Sequence, residues 1–258
     1  MKSTRIPGTA WLALAAGLVM AIATGCGAPP AAVDGGKRLD TLNIVTGTQT
    51  REPIDHQVAM RRLMGEVNAV RMNTNNIKCK LTGYYVSLED GKEGSTLFDF
   101  YFEKPNKTAL VVVNDSKGAT TGTKLVWMGG SQMAVKTKLL GFWLKTSIDI
   151  HHEYAKDQRG YYIDETGINP MLNTLTDNRN RLTFQGTGTL DGLPIVRIGV
   201  VSPRSLEGVA REVFVVDTRR KIPLVREMYD RGGKMVFRIK LDQVALNSRL
   251  PSDTFKVQ

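Results

Sequence analysis

Cysteine is nearly absent from this chain of 258 residues: Cys26 and Cys79 are its only two, and it has only three histidines. A framework of several disulfides is therefore excluded. GxSxG, SxxK, HExxH and CxxC are all missing, which removes the usual signatures of serine hydrolases, zinc proteases and thiol oxidoreductases. Gly118 to Lys124 (GATTGTK) has the wrong spacing for a phosphate loop and runs into a strand pattern. Gly186 to Gly192 (GTGTLDG) lies between strands and lacks the strand-to-helix context of a dinucleotide site. His151-His152-Glu153-Tyr154 is the one cluster of ligating side chains. Neighbouring residues of an extended chain point to opposite sides, so the pair reads as a polar surface segment and no metal site is expected. No cofactor is expected and the chain reads as a non-enzyme; an enzyme centred on His151, His152 and Glu153 is the competing reading.

Long apolar runs are also scarce. Ala10 to Ala23 (AWLALAAGLVMAIA) is an uncharged stretch of 14 residues, short of the roughly 20 that a spanning helix needs. Lys2 and Arg5 precede it, and no acidic residue occurs before Asp34. This is the layout of a secretory signal. The following Ala23-Thr24-Gly25-Cys26 is similar to the lipobox of bacterial lipoproteins, with Ala23 where Leu is usual. That resemblance implies cleavage before Cys26 and thioether-linked acylation of its sulfur. Gly27 to Arg38 (GAPPAAVDGGKR) reads as a flexible tether, because Pro29-Pro30 and Gly35-Gly36 discourage helix and little in it can pack. The expected divisions are residues 1–25 as lipoprotein signal peptide, 26–40 as lipidated Cys and tether, and 41–258 as one domain. The net charge of +10 becomes +8 when residues 1–25 are removed. Such a surplus suits anionic headgroups or acidic partners. Nucleic acid is not expected, since an exported chain carries no such motif.

What is present is a helix followed by strand after strand. In IDHQVAMRRLMGEVNAVR, Ile54, Val58, Met64 and Val67 recur near helical spacing, with Leu63 and Val70 widening the stripe. Beyond Asn76, STLFDFYFEKPNK alternates sharply, placing Phe98, Phe100 and Phe102 on one face. Strand patterns continue through TALVVVND, TKLVWM and QMAVKTKLLG. The middle, from Phe142 to Asn180, lacks sustained alternation, and Ile168, Met171, Leu172 and Leu175 mark a short helix with Pro170 in its first turn. Five more strands follow, with Asp191-Gly192 and Gly232-Gly233 as hairpin turns. About ten antiparallel strands and two helices are expected. Met235, Phe237, Ile239 and Leu241 oppose Lys234, Arg238, Lys240 and Asp242, so one sheet face is expected wet and the other covered by helices. Cys79, alternating with lysines, reads as a buried strand thiol.

The sequence resembles the LolA/LolB-like lipoprotein carriers and receptors of the bacterial envelope over residues 55 to 257. The resemblance rests on the opening helix and STLFDFYFEKPNKTALVVV. It continues through KLVWMGGSQMAV and RGYYIDETGINPMLNTL, and is strongest in the closing section from Val213 to Phe255. It implies a mainly antiparallel fold, a half-open curved β-barrel with helices covering its concave face. It also implies an apolar cavity for acyl chains or lipoproteins. Candidate lining residues are Phe98, Phe100, Phe102, Leu125, Trp127, Phe237 and Ile239, with lipidation at Cys26. The expected partners are the membrane, through its anchor, acyl chains or lipoproteins, and an envelope protein. The expected place is the cell envelope, on the outer membrane facing the periplasm. The alternative is a non-enzymatic sensor or scaffold with the same fold and no bound lipid.

Overall fold

The computed structural model describes residues 56–87, 91–116, 120–139, 141–157, 160–202 and 208–257. The expected leader, Cys26 and the expected tether, and Ile54 of the predicted helix, lie outside the described residues. Helix α1 (His56–Asn73) is followed by β1 (Asn76–Val86), β2 (Glu93–Glu103), β3 (Lys107–Asp115), β4 (Lys124–Trp127), β5 (Gln132–Leu139) and β6 (Phe142–Asp149). Two single 3-10 turns, Glu153–Ala155 and Ile163–Glu165, lead to α2 (Ile168–Thr176). The chain then returns through β7 (Arg181–Leu190), β8 (Leu193–Val201), β9 (Arg211–Asp217), β10 (Ile222–Tyr229) and β11 (Met235–Leu246). All described strands join one antiparallel sheet in the order β6-β5-β4-β3-β2-β1-β11-β10-β9-β8-β7. Two meanders are thus fused through the pairing of β1 with β11, and β6 and β7 are the two edges.

Alternation sets the inner face. Ile77, Cys79, Leu81 and Tyr85 of β1 are buried on the same side as their β2 partners Phe102 and Phe100. Outward-facing Lys80 pairs with Asp99 across the same two strands. Helix α1 turns Met60, Leu63, Met64, Val67 and Val70 toward the core, close to the spacing expected. Val58 departs from the predicted stripe and is 57% exposed. Helix α2 buries Ile168, Met171, Leu172 and Leu175 and packs against α1 and β10. The β7–β8 turn is the two-residue hairpin expected: Asp191 and Gly192 have φ of 51° and 77°, as a turn with two positive φ values requires.

Two expectations change. The sequence predicts no strand at Phe142, yet β6 forms there. Its one sheltered face, Leu144, Thr146 and Ile148, is only half-buried, because an edge strand at the rim of the sheet is thinly covered, and Phe142 and Trp143 at its start are exposed. The outer face is also not wet throughout. Arg238, expected in water, is buried beside Glu227, whose carboxylate also takes bonds from the Tyr229 hydroxyl (2.8 Å) and Arg197 (3.2 Å). By register Val213, Val215 and Val225 share this face, and all three are fully buried.

Cys79 sits on the inner face of β1, 3% exposed. Desolvation, reinforced by Asp242 and Asp99, pushes its thiol up to about 12. A thiolate is the reactive species, so Cys79 is expected to resist iodoacetamide at pH 8 in the folded chain and to react within minutes in denaturant. Peptide mapping of the alkylated residue checks this; rapid labelling without denaturant would contradict the burial.

Candidate functional site

Residues of β6, β5, β3, β1 and β11 line one common cavity, among them Ile148, Val135, Val112, Leu81 and Ile239. In a flat sheet β6 and β11 would lie six strand spacings apart, about 29 Å. Their meeting around one cavity means that this half of the sheet curls. The cavity measures about 190 Å³ and its sheet side is almost wholly apolar. Two of its hydroxyls are bonded within the sheet: Thr123 and Thr137 at 2.9 Å, and Thr120 Oγ1 donating to Asp115 Oδ2 at 3.1 Å.

The opposite wall is the segment between β6 and α2. Ala155, Lys156, Asp157, Tyr161, Tyr162, Ile163 and Thr166 face the sheet across the cavity. Tyr161 and Asp157 close a small loop, with Tyr161 N donating to Asp157 Oδ1 (2.9 Å) and Asp157 N to the Tyr161 carbonyl (2.8 Å). Tyr162 N donates to Glu165 Oε2 at 3.0 Å, and Thr166 Oγ1 to the Tyr162 carbonyl at 3.0 Å. These local bonds let an irregular segment satisfy its backbone above an apolar floor. At its far end Gly167 rests directly on the ring of Phe100 with φ of 94°, a conformation natural to glycine.

Tyr161 reaches through to the sheet. Its hydroxyl donates to Met228 Sδ at 2.9 Å, and its ring lies 5.3 Å from that of Phe237. Burial, partly opposed by Arg226, pushes the phenol well above its ordinary range, so it is a neutral donor at any physiological pH. Beside it Arg226 Nε donates to Glu212 Oε2 at 2.8 Å, with side chains 8% and 2% exposed. The guanidinium lies 5.6 Å from the ring centres of both Tyr161 and Phe214, within cation–π range.

Four predicted residues meet at this cavity: Phe98, Leu125, Phe237 and Ile239. Phe100 and Phe102 lie deeper, 1% and 4% exposed, in the packed core. Trp127 is half-buried and its Nε1 donates to the Gly130 carbonyl, holding the β4–β5 turn. Sequence reasoning missed Tyr161 and Tyr85 from the wall, and the Arg226–Glu212 pair. The only signal for that pair was two charges inside otherwise apolar strands.

A second depression, about 580 Å³, lies between the start of α1 and strands β7 and β8. It is larger but more open, and the ion pairs of Glu66 with Arg62 and Lys221 line it. His56 stacks on Phe184 there, ring centres 4.4 Å apart. His151 Nε2 lies 3.1 Å from Asp164 at the surface. Among the described residues no three His, Cys, Asp or Glu side chains form a metal-ligand group. Among them, too, no helix is long and apolar enough to cross a membrane.

No family model matches the chain, and no curated protein matches it. Solved structures do. MucB aligns over 78% of this chain and 63% of its own, at 12% identity and a TM-score of 0.49; it is also solved with MucA from Pseudomonas aeruginosa. Lipoprotein LppX of Mycobacterium tuberculosis aligns over 76% of this chain and 99% of its own, at 12% identity and a TM-score of 0.43. A LolA superfamily protein of Nitrosomonas europaea aligns over 77% and 97%, at 8% identity and a TM-score of 0.34. This chain thus spans less than two thirds of MucB. The unclosed antiparallel sheet curls around a cavity beneath helical segments, the architecture that the sequence resemblance to LolA/LolB-like proteins implies.

Proposed function

We propose that this chain is a non-enzymatic, lipid-anchored envelope protein that takes an acyl chain, of a lipid or of a lipoprotein, into the cavity under the 155–166 segment. The observation that carries this reading is the cavity: a mostly apolar sheet wall, with the Thr120 and Thr123 hydroxyls already bonded, facing a separate covering segment. An acyl chain needs only apolar contact, about 0.8 kcal/mol per buried methylene, and no catalytic group. As it stands, 190 Å³ is below the roughly 300 Å³ where small-molecule pockets begin, so loading requires the covering segment to lift. That movement has to release buried Tyr161 and Ile163 from the core, with the Tyr161–Met228 bond. Anchoring through Cys26, on the outer membrane facing the periplasm, completes the proposal. The small closed volume favours a second reading, a sensor or scaffold whose cavity stays packed and whose partner is a protein.

Gly83 separates the two. A Cβ added there meets only the Thr96 carbonyl, at 3.9 Å, and points among the cavity residues. Gly83→Leu is expected to fill the space, leave the fold intact by circular dichroism, and weaken binding of a fluorescent fatty acid at least tenfold. Undiminished binding would place the ligand elsewhere. Absence of binding by the parent chain would favour the scaffold.

A further inference from the structure

We propose that the β5–β6 hairpin tip is a docking site for an anionic bilayer surface. From Ser116 to Ile148 the chain carries five lysines and no aspartate, glutamate or arginine. Antiparallel pairing stacks three of them in one row on the outer face: Lys124 opposite Lys136, and Lys136 opposite Lys145. Directly opposed like charges repel across strands; Asp253 acts on Lys124 at one end of the row, and among the described residues no salt bridge joins Lys136 or Lys145 to a carboxylate. Lys124 Nζ donates to the Asp253 carbonyl at 2.9 Å. Lys138, opposite Trp143, extends the row toward the tip. A folded chain that keeps four cations side by side gains from an external anion.

The second observation is apolar. Phe142 is 79% and Trp143 52% exposed, at the first two positions of β6. Successive strand residues point to opposite faces, so the tip shows an aromatic ring on each side. Trp143 lies flat along the outer face, 5.0 Å from Lys136 Nζ and against Gly122. An indole flanked by lysines is the side-chain set of the membrane interface: the ring sits at headgroup depth while the ammonium groups meet lipid phosphates. The two-sided exposure favours insertion as a wedge over contact with a flat protein surface.

Topology ties this tip to the cavity. The β1–β2, β3–β4 and β5–β6 turns fall at one end of the first meander. The cavity residues Tyr85, Thr96, Val112 and Thr123 lie beside the first two of these turns. Docking through the tip therefore sets the cavity end of the sheet toward the bilayer. The docking itself does not depend on what the cavity holds.

The test uses the full chain on vesicles with Trp11→Phe and Trp127→Phe, so that Trp143 is the only tryptophan left of three. Phosphatidylcholine vesicles are compared with vesicles containing 30% phosphatidylglycerol, each with acyl-brominated lipid as quencher. The lysine variant below leaves the N-terminal region unchanged, so the difference it removes reports the tip. Trp143 emission is expected to fall at least twofold and shift to the blue on the anionic vesicles alone. The effect should vanish in 0.5 M NaCl and in Lys136→Gln/Lys138→Gln/Lys145→Gln. Phe142→Ser, at an exposed position, should halve the quenching without altering thermal unfolding. No quenching on anionic vesicles, or equal quenching on both, would overturn the proposal. So would equal quenching of Trp127 in a chain carrying Trp11→Phe and Trp143→Phe.

Discussion

Gly167→Val is expected to lower the thermal midpoint of the domain by about 10 °C. A Cβ at this position would lie 2.4 Å from Cε2 and Cζ of Phe100, and the backbone φ is 94°. Both parts of the cost are present at once. Forcing a β-branched residue into that region of φ costs about 1–3 kcal/mol, and overpacking a filled core adds about 1–3 kcal/mol. Phe100 cannot step aside, because it is 1% exposed. For a domain of this size each kcal/mol moves the midpoint by roughly 2–4 °C. Pairing Gly167→Ala with Phe100→Leu separates the terms: relief of the clash should recover part of the loss, and the φ strain should persist. A midpoint within a degree or two of the parent for Gly167→Val would show that the covering segment is not seated on Phe100.

The second large effect concerns Arg226 and Glu212. Removing either partner alone leaves a charge on the inner face with no counterpart, and about 3–5 kcal/mol of stability should be lost in Arg226→Met or in Glu212→Leu. Replacing both together should come within about 1 kcal/mol of the parent, since the desolvation of two ions is removed along with their attraction. Chemical denaturation of the parent, the two single variants and the double variant closes the cycle. Additive losses in the double variant would mean that the side chains do not act as a pair. Arg226 also lies between the Tyr161 and Phe214 rings, so Arg226→Lys, which keeps the charge but loses the planar face, should fall between the extremes.

Much of the sheet is legible because one of its faces is buried. Where a strand has a core side and a water side, period-two patterning survives in the sequence, as in Phe98, Phe100 and Phe102. The same holds for the helices, whose buried positions recur at Val67 and Val70 or at Ile168, Met171 and Leu175. Legibility fails where that contrast is missing. At the start of β6 both sides are open, so Phe142 and Trp143 read like core residues without a strand to carry them. In β9 and β10 both sides are closed, and Glu212, Arg226 and Glu227 look like solvent-facing charges until the pairing places each against its partner. Four of the seven predicted cavity residues line the cavity because alternate strand positions share a face. Curvature decides which of those positions meet a void and which meet packed atoms, and no local pattern records curvature. Tyr161 is the same problem in the covering segment: its role depends on Met228 and Phe237, 67 and 76 residues away.

The fusion of the two meanders through β1 and β11 has a kinetic consequence. The partners in that pairing, from Tyr85 with Phe237 to Ile77 with Leu246, are 152 to 169 residues apart. Hairpins such as β2–β3 close over a few residues, but β1 cannot acquire its second neighbour until nearly the whole chain has been made. Contacts of such high sequence separation slow folding, because loop-closure entropy is lost before the contact forms. The β1–β6 meander would meanwhile present β1 as an unpaired edge with an apolar inner side, the kind of surface that holdase chaperones protect. Arrival of β11 is therefore the step expected to limit the rate of reaching the native state, since only then can β1 gain its second neighbour.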